Sequence, residues 1–209
     1  MDIIWFGHSC FKLNSAQASV LTDPVGLPDD AQVGQPDIVT LSDRELRQQS
    51  IPMAGARLVD GPGEYEIKGV PITGIALPRP EPVAAGMARY AFVYNVVLDG
   101  ITTCHLGRLR DLPAGVRIQE LGSPDVVLIP LGEPFGLATA RATQLASQLE
   151  AKLLVPMLFG GPNDHAALES FCKELGADPT VVESRISVSA SGLSASQTRV
   201  AILAPQSAA

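Results

Sequence analysis

The side chains best suited to chemistry in this sequence are its three histidines: His8, His105 and His165. His8 follows a glycine between two apolar runs, His105 ends an apolar run, and His165 lies in the first turn of a predicted exposed helix. Imidazole is the commonest metal ligand and a usual general acid or base near neutral pH. One histidine alone cannot hold zinc, because catalytic sites use three protein ligands and structural sites four. We therefore expect His105 to be a hydrogen-bonded structural residue, His8 to serve a turn, and His165 to lie on the surface.

Acidic and basic side chains that follow other apolar runs are the remaining candidates: Asp23, Asp43, Glu45, Arg47 and Arg108. Three interpretations stay open. The charges pair with one another, because charges that face a concave interior need partners. Alternatively, the three carboxylates with His8 and His105 bind one divalent metal, and such an oxygen-rich site suits manganese, magnesium or calcium better than zinc. Finally, Arg47 and Arg108 clamp a small carboxylate or phosphate, which guanidinium groups bind through two parallel hydrogen bonds.

Composition excludes several classes of protein. The chain has 209 residues, of which 46% are hydrophobic and 18% charged, so it is neither disordered nor purely solvating. A net charge of −7 offers no basic surface for nucleic acid or for an anionic membrane. The three cysteines are widely spaced and form no C-x-x-C pair, which indicates a reducing compartment. With no apolar leader and no apolar run of about 18 residues, we expect a cytoplasmic protein.

The order of predicted elements indicates the fold class. The first half consists of short apolar runs separated by turn residues, which is typical of an antiparallel meander. In the second half a helix, Ala138–Glu150, separates two short runs of the fully buried type, and a second helix ends at Gly176. Such strand–helix–strand units are almost always parallel. We expect one α/β domain over residues 1–209, a four-layer αβ/βα sandwich with two mixed β-sheets packed face to face and helices outside.

Eight short segments carry a resemblance to a known family. They are Trp5-Phe6-Gly7-His8-Ser9-Cys10-Phe11, Thr22-Asp23-Pro24, Pro36-Asp37-Ile38-Val39-Thr40, Gly61-Pro62-Gly63-Glu64-Tyr65-Glu66, Asp99-Gly100, Cys104-His105-Leu106-Gly107, Asp125–Leu131 and Lys152–Met157. In this order they resemble the metallo-β-lactamase-fold hydrolases, in the ascorbate-lactonase-like branch, over about three quarters of the chain. The resemblance implies the same four-layer fold, although a shared fold does not by itself give a function.

The resemblance also implies where a metal centre would stand. The family holds one or two zinc or manganese ions with a His-x-His-x-Asp-His loop, a His-Leu-Gly-Asp turn and further histidines. The metal turns bound water into hydroxide near neutral pH. In this sequence the loop after the fourth apolar run reads Ser42-Asp43-Arg44-Glu45-Leu46-Arg47-Gln48. The three histidine positions of the loop therefore fall on Asp43, Glu45 and Gln48, and the aspartate position falls on Arg47.

The other ligand positions of the family also differ. The turn keeps His105 but has Arg108 where the bridging aspartate stands, and Leu158 follows Pro156-Met157 in place of a histidine. A histidine of the family's proline loop has no counterpart, and Arg79 is nearest to it. The Asp23 position orients a metal ligand in the family, and here a turn before Pro24 is its simpler role. The family uses the His8 position near the pocket mouth.

These substitutions lead to one interpretation and one rival. A guanidinium offers no lone pair and repels a cation, so the sequence predicts a family member that has lost its metal ligands. Such a protein would bind or regulate without catalysis and without a cofactor. The rival is a metal-dependent hydrolase that uses one divalent ion such as zinc or manganese in a carboxylate-rich site. We expect a small anionic ligand as partner, self-association into a homo-oligomer, and no binding to nucleic acid or membrane.

Overall fold

The computed structural model describes residues 1–27, 31–48, 55–79, 89–111, 115–134, 136–158, 160–161, 163–193 and 198–206. The strands are β1 (Asp2–Trp5), β2 (Phe11–Asn14), β3 (Ser19–Thr22), β4 (Ile38–Thr40), β5 (Arg57–Val59), β6 (Gly63–Ile67), β7 (Val70–Pro78), β8 (Tyr90–Leu98), β9 (Ile101–His105), β10 (Val126–Pro130), β11 (Leu153–Met157), β12 (Val182–Glu183), β13 (Ile186–Ser187), β14 (Arg199–Val200) and β15 (Ile202–Leu203). The helices are α1 (Gly115–Glu120), α2 (Thr139–Leu149) and α3 (Asp164–Glu174), and a 3-10 helix spans Arg44–Gln48.

Among the described residues, six strands form the first sheet, here called sheet I, in the order β13-β1-β2-β3-β4-β5. β1, β2 and β3 are antiparallel neighbours, as the meander pattern predicts, whereas β3, β4 and β5 run parallel. β3 and β4 are buried along their whole length. Because β3 and β4 are parallel, their carboxyl ends lie at one edge of the sheet. Asp23 follows β3 there, and Ser42 follows shortly after β4.

In the part of the chain that the structure describes, seven strands form the second sheet, sheet II, in the order β14-β11-β10-β9-β8-β7-β6. β6 to β9 are antiparallel, and β9, β10, β11 and β14 are parallel. The turns Lys68-Gly69 and Asp99-Gly100 have positive φ at both residues, which is typical of the two-residue turns that match strand twist. Both hairpins are predicted from the sequence, as is the crossover through α2 between β10 and β11.

The two sheets pack face to face around a shared apolar core. Ile3 and Phe11 of sheet I lie in one buried cluster with Tyr94, Leu128 and Val155 of sheet II, all of them fully buried. Burying a large apolar side chain of this kind stabilises the fold by roughly 1.5–3 kcal/mol. The inter-sheet cluster is therefore a main source of the stability that holds the strand ends in register.

Helices α2 and α3 cover the outer face of sheet II. Leu145 and Leu149 of α2 and Phe171 of α3 are buried in one cluster with Val127 and other residues of that sheet. Both helices lie where apolar residues recur at helical spacing. Within the described ranges, no helix has the length and apolar character needed to cross a membrane.

The outer face of sheet I is covered differently. Leu46 of the 3-10 helix packs there with Leu21, Val39 and Leu41. Among the described residues this single short helix and its flanking loops take the place that longer helices hold over sheet II. The predicted class, two mixed β-sheets in an α/β sandwich with outer helices, is confirmed.

Gly107 ties the two sheets together at the end where β4 and β9 finish. Its φ is +56°, and a Cβ atom built on it would lie 2.3 Å from Cβ of Ser42. The turn after β9 therefore approaches the loop after β4 more closely than any other residue type would allow. In contrast, Gly100 has a similar φ of +72° and open space around the equivalent Cβ position.

These two glycines give a matched test of that close approach. Gly100→Ala should cost only the strain of a left-handed residue, about 1 kcal/mol. Gly107→Ala should cost about 3 kcal/mol, because overpacking against Ser42 adds to the same strain. Urea denaturation of both variants measures the difference. Equal losses would show that the contact between Gly107 and Ser42 is not tight.

Candidate functional site

Asp23 fixes the start of the loop that carries most of the predicted site residues. Its two carboxylate oxygens accept hydrogen bonds from the amide of Ser42 at 2.7 Å and from the hydroxyl of Ser42 at 2.5 Å. Asp23 is buried and has a φ of +39°, and its amide donates to the carbonyl of Thr40. The carboxylate thus joins the carboxyl ends of β3 and β4. Its observed role is to position the loop after β4, in addition to forming the turn before Pro24.

Asp43, the next residue of that loop, forms a buried ion pair with Arg79. One guanidinium nitrogen of Arg79 donates to Oδ2 of Asp43 at 2.6 Å, and the two side chains are only 7% and 4% exposed. The other oxygen of Asp43 accepts the amide of Glu45 at 3.0 Å, as expected of an aspartate that begins a turn. Arg79 reaches this position because β7 ends at the preceding residue, and its amide continues the ladder to the carbonyl of Arg89.

The 3-10 helix separates the loop residues into two faces. In such a helix residues three apart lie on the same side, so Asp43 and Leu46 point inward and Arg44 and Arg47 point outward. Arg47 is 58% exposed and pairs with Asp60, which corrects the expectation that it faces the same pocket as Arg108. Glu45 is half-buried.

Two arginines lie in the turn after β9. Arg108 is half-buried, Arg110 is more exposed, and the buried Leu109 separates them. The pKa of Arg110 is lowered by partial loss of hydration and by the positive charges of Arg79 and Arg108, while Asp43 raises it. The charges of Arg79, Arg108 and Asp43 therefore all act on the guanidinium of Arg110.

His105 is buried at the end of β9, where its ring lies edge-on to Phe11 with the ring centres 6.5 Å apart. Neither ring nitrogen has a hydrogen-bond partner of normal geometry among the described residues, although the backbone of Ser9 lies close enough to act on the ring. Burial lowers the pKa of His105 below its ordinary value of 6.5, although the charge of Asp23 and the backbone of Ser9 raise it. The strand places this ring in the inter-sheet core, and the neutral form is favoured there.

The other two histidines lie at the surface. His8 is exposed in a turn with a φ of +48°, and its carbonyl accepts the indole N–H of Trp5 at 2.8 Å. This backbone role agrees with the turn function expected from the sequence. His165 is 88% exposed in the first turn of α3 and lies 3.3 Å from Glu169.

The carboxylates of Asp23 and Asp43 already have partners within the protein. Across the described residues, no three histidine, cysteine, aspartate or glutamate side chains come together as a ligand group. Asp23 accepts two hydrogen bonds from Ser42, and Asp43 forms an ion pair with Arg79. Guanidinium groups donate hydrogen bonds and offer no lone pair to a cation. What the arrangement does offer is hydrogen-bond donors and positive charge, which are the requirements of an anion.

Three arginines of this region were not assigned a role from the sequence: Arg44, Arg79 and Arg110. The guanidinium of Arg44 lies 5.5 Å from the ring centre of Phe92, a cation–π distance. The sequence does contain one signal for Arg110, because the apolar Leu109 stands between Arg108 and Arg110. When Leu109 packs inward, the two arginines lie on the opposite side of the segment. Nothing in the sequence indicates that Arg79 would meet Asp43, which is 36 residues earlier.

Known proteins that resemble this chain give a consistent result. A family model described as a β-lactamase superfamily domain matches residues 2–158. A UPF0173 metal-dependent hydrolase of Methanoregula boonei is 26% identical over 189 residues, which covers 75% of this chain and 81% of that protein. A UPF0173 protein of Pyrococcus furiosus is 24% identical over 200 residues and covers 84% of this chain and 90% of its own length.

Solved structures share the fold. A crystal structure of a metallo-β-lactamase superfamily protein from Thermotoga maritima matches with a TM-score of 0.73 at 24% identity, over 97% of each chain. Igni18, a metallo hydrolase of Ignicoccus hospitalis, matches with a TM-score of 0.61 at 17% identity, over 90% of this chain and 98% of its own. At these identities the similarity establishes the arrangement of the two sheets.

The buried pair of Asp43 and Arg79 can be tested against an exposed pair of the same kind. Asp43→Asn should lower the free energy of unfolding by about 3–5 kcal/mol, because it leaves the guanidinium of Arg79 buried without a counter-charge. Asp60→Asn breaks the exposed pair with Arg47 and should cost less than about 1 kcal/mol. Urea denaturation at one salt concentration compares the two. Similar small losses would mean that Arg79 is solvated.

The buried imidazole of His105 predicts a pH dependence of stability. Because its pKa is lowered in the folded state, the unfolded chain binds more protons below pH 6.5. The free energy of unfolding should therefore fall as the pH drops below 6.5, by at most about 1.4 kcal/mol per pH unit for one proton. Denaturant titrations of chelator-treated protein between pH 7.5 and 5.5 measure this slope.

Two glutamine variants assign that slope. His105→Gln should remove the contribution of the buried ring, whereas His165→Gln should leave the slope unchanged because its side chain is exposed in both states. A wild-type stability that stays constant from pH 7.5 to 5.5 would contradict the burial of a neutral His105.

Proposed function

The chain belongs to the metallo-β-lactamase superfamily of metal-dependent hydrolases, and we propose that it is a member that has lost its metal ligands and acts by binding, without hydrolysis. The observation that carries the proposal is the buried ion pair of Asp43 and Arg79. Asp43 stands where the resemblance puts the first histidine of the metal-binding loop, and Arg79 is the residue nearest to the histidine of the proline loop, which has no counterpart in this sequence.

Electrostatics supports this interpretation. Two unit charges 4 Å apart interact by about 4 kcal/mol at an effective dielectric constant of 20, and a dication beside one guanidinium would be repelled by roughly twice that. Arg79 cannot lose its proton to relieve the repulsion, and Arg108 adds a second positive charge at the position of the family's bridging aspartate. A metal in this place would also have to compete with Arg79 for the carboxylate of Asp43.

The rival function is a metal-dependent hydrolase, which is what the Methanoregula boonei relative is named. It would use the oxygen-rich set of Asp23, Asp43, Glu45, His8 and His105 to hold one divalent ion. In the structure the carboxylate of Asp23 already accepts a hydrogen bond from Ser42, and the ring nitrogens of His105 lie inside the core. The rival therefore requires the loop after β4 to rearrange, whereas binding without a metal requires no such change.

Location and partners follow as parts of the same proposal. Cys10, Cys104 and Cys172 are all free and buried, and burial raises the pKa of Cys104 to about 12. Such thiols are inert packing residues and suit a reducing compartment, so we place the protein in the cytoplasm. Self-association into a homo-oligomer remains a prediction.

Metal analysis of protein purified without chelator tests the proposal. We expect less than about 0.1 zinc or manganese per chain, because His105 alone falls short of the three ligands that a catalytic site needs. The Methanoregula boonei relative, purified in the same way, serves as the comparison. Chelator should also leave the Tm of this chain unchanged, since a metal bound only to the folded state would raise it.

The opposite result is equally clear. A reproducible content of one metal ion per chain, together with a lower Tm after chelator treatment, would overturn the proposal and favour the hydrolase. Arg108→Asp restores the acidic residue of the family at that position but supplies no histidine. We expect this variant to stay without bound metal under the same purification.

A further inference from the structure

Two ion pairs join the segments that flank β4 to the segments that flank β7. Asp37 precedes β4 and pairs with Lys68, which precedes β7. Asp43 lies shortly after β4 and pairs with Arg79, which follows β7. Because β4 belongs to sheet I and β7 to sheet II, each pair connects the two sheets, one at either end of these strands.

The two pairs differ in burial. The side chain of Lys68 is 59% exposed, whereas those of Arg79 and Asp43 are 7% and 4% exposed. An exposed pair contributes little to stability, because water competes for both charges. Loss of one partner from a buried pair leaves the other charge uncompensated. The connection between the sheets therefore depends more strongly on Arg79 than on Lys68.

The contact between Arg79 and Asp43 depends on charge more than on hydrogen-bond geometry. Among the described residues, one guanidinium nitrogen donates to Oδ2 of Asp43, and Nε of Arg79 has no hydrogen-bond partner. A bidentate contact would use two parallel hydrogen bonds. What Arg79 supplies is above all the positive charge that compensates the buried carboxylate.

Asp43 transmits this constraint to the 3-10 helix. Its Oδ1 accepts the amide of Glu45 at 3.0 Å, and its carbonyl accepts the amide of Leu46 at 3.1 Å. The carbonyl of the preceding Ser42 accepts the amide of Phe92 in β8 at 2.7 Å. The start of the loop is thus held to sheet II twice, by the backbone at Ser42 and by the ion pair at Asp43.

We propose that Arg79 is a built-in cation that locks the loop after β4 onto sheet II, so that this loop is ordered without a bound metal ion. The proposal rests on the metal-free function proposed above and concerns the ordering of the same site. A cation that is part of the chain cannot dissociate, so the loop keeps its position whatever the supply of metal ions. Deletion of this side chain should leave a place for a free cation beside Asp43.

Chemical rescue of Arg79→Ala tests the lock. The atoms that this substitution removes correspond to ethylguanidinium. We expect Arg79→Ala to lower the Tm by roughly 6–20 °C, because a buried charge loses its partner in a chain of this size. Ethylguanidinium chloride up to about 20 mM, far below denaturing concentrations of guanidinium, should raise the Tm of the variant and leave the wild type unchanged. N-ethylurea has the same shape without the charge and should not raise it.

Hydrogen exchange distinguishes a lock from a general contribution to stability. In folded Arg79→Ala we expect the amides of Glu45 and Leu46 to exchange about tenfold faster or more, and the amides of α2 to change much less. Ethylguanidinium should restore slow exchange at Glu45 and Leu46. An equal increase in the loop and in α2 would overturn the lock.

Arg47→Ala is the matched control, because it removes the same atoms from an exposed pair. Arg47 is 58% exposed and pairs with Asp60. We expect a small change of Tm and no rescue, since water already surrounds this guanidinium. Rescue of Arg47→Ala as large as that of Arg79→Ala, an equal effect of N-ethylurea, or no rescue of folded Arg79→Ala would overturn the proposal.

Two longer side chains keep the test available if Arg79→Ala does not fold. Arg79→Lys retains the charge and should keep most of the wild-type Tm. Arg79→Gln is polar but uncharged and should lose it. Equal losses in these two variants would overturn a lock that depends on charge.

Metal content separates this proposal from the function on which it rests. Absence of rescue, when the wild-type protein holds no metal, overturns the lock and leaves the metal-free function standing. A wild type that carries one metal ion per chain, and whose loop amides exchange faster after chelator treatment, overturns both. A wild type that carries a metal ion, keeps slow loop exchange in chelator and shows the rescue in Arg79→Ala supports the lock and overturns the metal-free function.

Discussion

The requirement that a buried charge have a partner governs this end of the molecule. Asp43 and Arg79 are both almost inaccessible to solvent, and removing either would strand the other in a low-dielectric environment. The pair consequently fixes the position of the loop after β4 relative to the end of β7. It joins sheet I to sheet II at the edge where parallel strands end, which is also the edge where ligands usually bind in α/β folds.

Two further contacts keep that pair in place. Asp23 holds Ser42 through both of its carboxylate oxygens, and Gly107 allows the turn after β9 to lie against the same serine. Below them the apolar core contains Phe11, Tyr94 and the ring of His105. Polar positioning at the rim and apolar packing beneath it together hold the buried charges of this loop in place.

The same geometry underlies the proposed loss of the metal site. A metal centre needs lone pairs that point inward, and this edge of the fold presents guanidinium hydrogens instead. The chain keeps the sheets and the crossover of the superfamily fold, so the frame that positions ligands persists; the loss of the metal site is our proposal. Fold and function are separable here, because the strands determine where side chains stand and the loop residues determine what they bind.

The sequence alone determined the architecture, because short apolar runs, glycine turns and one crossover helix are local signals that predict strands, hairpins and layers. It also determined that the loop after β4 lacks the histidines of the family, which is a matter of residue identity. It did not determine the partner of Asp43, nor the outward position of Arg47, since a 3-10 turn and an i+36 contact leave no periodic trace. Only the tertiary structure decided these points, because an ion pair depends on which distant segments the packed sheets bring within hydrogen-bond distance.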